Sequence, residues 1–455
     1  MADDARRDDT SPPPRRDDTS PPSPRDGTSP PSRRDNWPSS RGFWRSPLRG
    51  PWLPSVLGVV LLAGITILFV TGLVSYAAYN PDLSPVNDKT PDKGLLGFYL
   101  FAWPTDPHWL YRLNQGVHVT LGIALIPVLL AKLWSVVPKL FALPPARSVG
   151  HALERLSLLF LVGGALFEFV TGVLNVQLDY IFPGSFYPLH FYGAWVFFAA
   201  FAVHVVLRVP TVVRTLRGRG APREEDQELV APRPAEPTVS RRGALGMVGA
   251  GSLLLFLTTV GQNFDGLLRR TAVLAPHGGG DPGTGPNGFQ INKTPAAVGL
   301  TARDLDAGAD GSGDGTWRLT VEGPAGAVRL SRADLLRMPQ HSAALPIACV
   351  EGWSTADQWW RGVRLRDLAE LAGYDGDAAP GVLVESLQRR GAFRRAALRD
   401  NQVRDPRSLL ALQVNGEDLT PDHGYPARVI VPAAPGVHNT KWVARLRFGE
   451  AGELR

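Results

Sequence analysis

Four long apolar stretches, near 52–79, 113–137, 153–175 and 187–209, interrupt an otherwise polar chain. Each supplies the ~20 residues that a helix needs to cross ~30 Å of hydrocarbon. Four in succession predict a membrane bundle over 51–210 rather than buried helices of a soluble core. A weaker, Gly-rich run at 243–261 predicts a fifth span, within an anchor over 243–275. Residues 276–455 are polar and long enough for one globular domain. There the period shortens. Trp317–Glu322 alternates as a strand, and Ser331–Met338 reads as a helix opened by a serine cap with Asp334 at its third position. Ala344–Val350, Val382–Leu387, Leu410–Val414 and Ala427–Val431 read as further strands, and Leu365–Ala372 as a second short helix. The expected class is multi-domain, with a five-span α-helical transmembrane bundle and a mixed α/β domain.

The first 50 residues are low in complexity: RRDDTSPP occurs at 6–13 and 15–22, and RDGTSPP at 25–31. Such a composition cannot bury enough apolar area to offset ordering entropy, so a disordered tail is expected. Lys and Arg near the spans set the orientation. Arg41, Arg45 and Arg49 precede the first span, and Lys139 and Arg147 lie between the second and third. A basic linker over 211–242 carries Arg214, Arg217, Arg219, Arg223, Arg233, Arg241 and Arg242, whereas 176–186 has no Lys or Arg. The N-terminus is therefore expected in the cytoplasm and 276–455 outside, in a multi-pass protein of the cell membrane. The mean hydropathy of −0.05 averages three unlike regions. The net charge of +6 is largely a topology signal, and nucleic acid is not expected as a partner. Ser240-Arg241-Arg242-Gly243 reads either as a twin-arginine export signal inside the chain or as two ordinary positive-inside arginines. Pro276 after Val273-Leu274-Ala275 should block cleavage, so an uncleaved anchor is expected.

Four of the nine histidines lie in or at the ends of spans: His118, His151, His190 and His204. A single membrane histidine is commonly a hydrogen-bonding helix contact, but these four are ordered. His190 and His204 are 14 residues apart, which returns to within ~40° of the same helix face after a rise of ~21 Å. The predicted topology sorts the four into two level pairs, His118 with His190 outside and His151 with His204 inside. Two axial imidazoles per iron is the ligand set of a six-coordinate electron-transfer haem. Two b-type haems are expected. The arrangement resembles the membrane cytochrome b subunits of respiratory enzymes, which implies exchange of electrons with membrane quinone or quinol.

The single cysteine, Cys349, excludes a disulfide framework and cysteine-ligated clusters. Alone it would pass for a small buried hydrophobe. Its neighbourhood is Cys349-Val350-Glu351-Gly352-Trp353-Ser354, followed by Trp360-Arg361-Gly362-Val363 and Leu365-Arg366-Asp367-Leu368. Further on come Asn415-Gly416-Glu417, then Asp422-His423-Gly424-Tyr425-Pro426-Ala427-Arg428, then Lys441-Trp442. Over about 285–450 this resembles the sulfite-oxidase fold of molybdenum enzymes. The nearest pattern is the catalytic subunit of periplasmic methionine sulfoxide reductases. The resemblance implies a molybdopterin cofactor, with Cys349 as the catalytic thiolate on molybdenum. It implies pterin binding by His423, Arg428, Asn439, Thr440 and Lys441, and by Phe289, Asn292, Lys293 and Gln388.

The departures shape the expected activity. Where sulfite oxidases place anion-binding arginines, this chain has Ser354 and Ile291. Arg455 follows the last strand closely, so the family's added dimerisation domain is not expected. A neutral small-molecule substrate, a sulfoxide or N-oxide, fits such a site better than a dianion. The expected function is a molybdenum-dependent oxidoreductase that reduces it with electrons passed from quinol through the haems. Two alternatives stand beside it: a membrane sulfite dehydrogenase, and a haem protein with a non-catalytic outer binding domain.

Overall fold

The computed structural model describes residues 46–87, 90, 101–140, 149–176, 186–218, 239–264, 266–274, 286–307, 316–450 and 452–454. Residues 1–45 of the expected disordered tail and most of the basic linker lie outside these residues; the end of the tail is corrected, since Pro47–Arg49 forms a short 3-10 helix with Arg49 buried. Five long helices are present: α1 (Trp52–Ala78), α2 (Leu110–Leu140), α3 (Val149–Asn175), α4 (Phe186–Leu216) and α5 (Arg241–Val260). All five are long and apolar enough to cross a membrane. α1 opens with no charged residue in its first turn and ends before Asn80, whose left-handed backbone turns the chain. The cap of α5 is Ser240, whose hydroxyl accepts from the amide of Gly243 at 3.1 Å.

α1 packs on α2, α3 on α4, and α5 against α2. Leu57, Leu61, Leu125, Leu129, Phe197 and Phe201 form the shared core. Gly64 permits the close α1–α2 approach, because a Cβ there would lie 2.4 Å from a Leu125 methyl. The outward faces carry exposed apolar side chains such as Val206 and Leu254. That suits contact with lipid rather than water.

The polar half is α/β, as expected. One sheet runs β2 (Gly326–Ser331), β1 (Arg318–Gly323), β10 (Val443–Phe448), β5 (Val382–Ser386), β6 (Arg395–Leu398), with β1 and β10 parallel. The other runs β3 (His341–Leu345), β4 (Gln358–Arg364), β7 (Leu409–Val414), β8 (Glu417–Asp418), and β9 (Arg428–Ile430) also pairs with β7. The short helices are α6 (Ala302–Ala307), α7 (Arg332–Arg337), α8 (Leu365–Leu371) and α9 (Asp400–Arg404). The expected capping box of α7 is present: Ser331 Oγ accepts from the Asp334 amide, and Asp334 accepts from the Ser331 amide. One expectation is corrected. Ala344–Val350 is not one strand, because β3 stops at Leu345 and Cys349 stands in the turn that follows. The turn closes through Cys349 N to Trp353 O (2.9 Å) and Gly352 N to Cys349 O (3.1 Å), with Gly352 at φ 91°. The Cys349 amide is thus committed to a local loop, not to a sheet neighbour.

The α/β half is bolted to the helical half by buried polar bonds. Asn80 donates to Ala397 O (3.2 Å) and Gln402 Oε1 (2.8 Å), and Trp103 Nε1 donates to Ala433 O (2.7 Å). Asn401 returns a bond to Trp103 O (2.8 Å). Each such bond contributes on the order of 1 kcal/mol, and leaving either partner unmatched in a buried seam costs more.

Candidate active site

Cys349 is buried, and burial followed by the nearby Glu351 pushes its thiol well above the ordinary range. Asn292 Nδ2 stands 3.6 Å from its sulfur. Opposite lies the loop 435–441. Gly436 donates to Ala348 O at 2.7 Å, and a Cβ on Gly436 would sit 3.1 Å from that oxygen, so glycine allows the approach. Asn439 Oδ1 accepts from Val431 N (2.9 Å), which leaves its Nδ2 without a protein partner. Thr440 Oγ1, Arg428 Nε and Gln388 Oε1 are also buried without a partner.

Two buried cations face this space. Arg428, on β9, donates to His423 O (3.3 Å), and burial lowers its pKa to about 9. Lys441 donates to Lys293 O (2.9 Å) and Asp422 O (2.6 Å), and burial with Arg428 nearby holds it well below the ordinary lysine range. A buried cluster of cations and orphaned donors is costly unless an anionic, hydrogen-bonding group joins it. A phosphate-bearing pterin is such a group, and the Cys349 thiolate is a soft donor suited to molybdenum.

The structure brings Asn292, Lys293, Cys349, Gln388, Arg428, Asn439, Thr440 and Lys441 onto one cavity of about 840 Å³. Phe289 and His423 do not line it. Their ring centroids lie 3.9 Å apart with the planes tilted by 34°, and His423 supports Arg428 through its carbonyl. Sequence reasoning missed Glu351, Tyr79, Tyr187 and Gln115, which line the same cavity. Only Glu351 had a local signal, its place in the cysteine motif; the others arrive from the helices. Arg389 and Arg390, in the loop after β5, are not among the residues that line the cavity. The first pairs with Asp304, and the second donates to Ala296 O (3.0 Å).

The cavity continues between the helices to His118 and His190. Their ring centroids are 6.2 Å apart and the planes are perpendicular. Two metal–nitrogen bonds of about 2 Å, plus about 1 Å from each nitrogen to its ring centre, sum to the same separation. The expected outer pair is therefore adjacent and suitably spaced. His204 has Lys132 and Arg208 as charged neighbours. The side chain of His151 lies outside the described residues, and so does the expected His151–His204 pair. Among the described residues there is no cluster of three or more His, Cys, Asp or Glu that would hold a metal by itself.

The cysteine loop rests on the helix that carries His118. Gln115 donates to Val350 O at 2.6 Å and its own oxygen accepts from Ser75 at 3.0 Å. A Cβ on Gly352 would lie 2.7 Å from Val119.

The cysteine-bearing turn and most of the cationic cradle fall in a segment that is similar to molybdopterin-binding oxidoreductase domains. Residues 309–453 match the family described as oxidoreductase molybdopterin binding domain. The chain is similar to the uncharacterized oxidoreductase YuiH of Bacillus subtilis, at 35% identity, over 29% of this chain and 65% of that protein. It is similar to mitochondrial sulfite oxidase of Mus musculus at 32% identity, over 29% of each. A nitrate reductase [NAD(P)H] of Hordeum vulgare shares 42% identity over 19% of this chain and 10% of its own. The chain thus spans just under two thirds of the first relative and under a third of the others.

Proposed function

We propose that this protein is a membrane-bound molybdenum oxidoreductase that passes electrons between membrane quinol and an extracytoplasmic substrate through b-type haem. The observation that carries the reading is the packing of the Cys349 turn on α2, beside His118. It joins the two sites within one chain without a separate carrier.

Molybdenum, when bound, supplies two-electron oxygen-atom exchange, and haem supplies single-electron relay. The chain's own residues position and exclude. Cys349 offers the thiolate ligand, and Asn292 stands beside its sulfur. Arg428, Lys441 and Lys293 hold the anionic end of the pterin, and Asn439, Thr440 and Gln388 meet its polar edges. His118 and His190 offer Nε2 to one haem, and His151 with His204 serve a second near the cytoplasmic side. The topology follows the arginine bias, with the N-terminus inside and the α/β domain outside.

A neutral sulfoxide or N-oxide is the proposed substrate. Among the described cavity-lining residues the cations are Lys293, Arg428 and Lys441, all committed to the cofactor cradle. The walls contributed by the helices, including Tyr79, Tyr187 and Phe191, bring no lysine or arginine to the cavity among the described residues. Among the described residues lining the cavity there is no arginine besides Arg428 for a dianion.

The test is a substrate screen on purified protein with haem redox state as readout. Sulfoxides and N-oxides should oxidise quinol-reduced haem. Reduction of haem by sulfite would reverse the direction, and molybdenum far below one per chain would sink the enzyme reading. His118→Ala and His190→Ala should each lower the Soret band to about half, and pyridine haemochrome should give two haems per wild-type chain. Intact spectra in both variants would refute the ligand assignment.

A further inference from the structure

The two halves of the helical bundle repeat each other at the histidines. α1 carries Phe69-Val70-Thr71-Gly72 and α3 carries Phe169-Val170-Thr171-Gly172. Each motif meets a histidine of the next helix. Thr71 Oγ1 is 2.9 Å from His118 Nδ1, and Thr171 Oγ1 is 3.0 Å from His190 Nδ1. The glycines repeat too. A Cβ on Gly72 would lie 3.3 Å from His118 Cε1, and one on Gly172 would lie 3.4 Å from His190 Cε1.

Donor counting sets the direction of these bonds. A threonine hydroxyl has one proton. Thr71 spends it on Ile67 O at 2.8 Å, and Thr171 on Phe167 O at 2.7 Å, each one turn back in its own helix. Toward the imidazole each hydroxyl therefore accepts. Nδ1 carries the ring proton and Nε2 keeps its lone pair, the state a metal ligand requires. One residue breaks the repeat. Where α1 has Leu68, α3 has Glu168, whose Oε2 is 3.1 Å from the same His190 Nδ1. Each ring also meets a backbone oxygen, His118 that of Leu68 and His190 that of Glu168, so the Glu168 carboxylate is an acceptor that His190 has and His118 lacks among the bonds described.

We propose that the Thr71-Gly72 and Thr171-Gly172 pairs are twin positioning cradles. They lock the tautomer and ring plane of His118 and His190 for one haem with perpendicular axial imidazoles, and Glu168 makes the two ligands unequal. This rests on the haem reading above. Each threonine acts through its histidine and touches neither iron nor substrate. The glycines leave room for the rings to turn until their planes cross at 90°.

The experiment uses the full-length, molybdenum-loaded protein in detergent, as wild type, Thr71→Val, Thr171→Val, Thr71→Ser and Thr171→Ser. Low-temperature EPR of the ferric haem reads the ring planes, and a redox titration reads ligand basicity. Perpendicular imidazoles give a highly anisotropic low-spin signal in the wild type. Valine keeps the shape and removes the acceptor. Each valine variant should move the EPR signal toward the rhombic form, raise the midpoint potential and weaken haem retention about 10-fold. Serine should restore all three. The shift should be larger for Thr71→Val, because His190 retains Glu168. In a Glu168→Leu background the Thr171→Val shift should grow to match.

A valine variant that loses haem but keeps molybdenum, and regains haem as serine, supports the cradle and excludes misfolding. Valine variants with wild-type EPR and potential overturn the inference alone. Equal shifts for the two threonines with Glu168 present overturn its asymmetry. A wild type with no haem overturns the haem reading and this inference together.

Discussion

Replacing Gly352 by alanine tests the contact between the two halves most directly. The residue has φ 91°, where an L side chain costs about 1–2 kcal/mol. The new Cβ would sit 2.7 Å from Val119 Cβ, well inside the 3.5–4.0 Å optimum of carbon contacts. Overpacking of that kind costs about 1–3 kcal/mol. Together these give about 2–5 kcal/mol, which at 1.4 kcal/mol per decade shifts the docked arrangement by roughly 30- to 4,000-fold. Relief comes by moving the cysteine turn off α2, which stretches the Gln115–Val350 bond. The assay is stopped-flow oxidation of quinol-reduced haem by substrate, beside turnover with a small reductant that feeds the outer domain directly. Haem oxidation should slow at least ten-fold while direct turnover persists. Val119→Gly in the same chain removes every Val119 atom the new Cβ meets and should recover the contact share but not the backbone share. Unchanged haem oxidation in Gly352→Ala, or no rescue by Val119→Gly, would refute the reasoning.

Further outcomes are expected. Cys349→Ser should abolish turnover yet leave the haem spectrum intact; retained turnover would remove the cysteine from the molybdenum. Arg428→Met or Lys441→Met should lower molybdenum content. In cofactor-free protein the same changes should stabilise the fold by about 1–4 kcal/mol, measured by denaturant titration, because each removes an uncompensated buried cation. His438 is buried and desolvation lowers its pKa to about 4, so the folded state holds it neutral. The unfolded chain takes up its proton below about 6.5, so this stability is full above that pH and lost as pH falls toward 4. The loss totals about 3 kcal/mol, and His438→Gln should flatten it in pH-dependent melts.

Much of the site was legible along the chain because its residues are near neighbours in sequence. Cys349 stands in a local motif, and Arg428 and Lys441 follow from another. What misled was the cysteine's own setting. Ala344–Val350 has strand composition, but its backbone bonds close a turn, and only the register of β3 on β4 shows where the strand ends. Phe289 and His423, expected on the cofactor, also lie against each other, and the His423 carbonyl accepts from Arg428.

Hydropathy and charge by themselves determined five candidate spans and a polar α/β domain, because membrane length and strand period are written in consecutive residues. They also determined the histidine spacing, because helix pitch converts sequence distance into height. Tertiary structure alone decided which partners meet. Thr71 reaches His118 across 47 positions, and Gln115 reaches Val350 across 235. Such pairings depend on helix rotation and on how one half seats upon the other. Those are set by the summed packing of many side chains, such as Leu125 against Gly64 and Val119 against Gly352, and no local pattern encodes them.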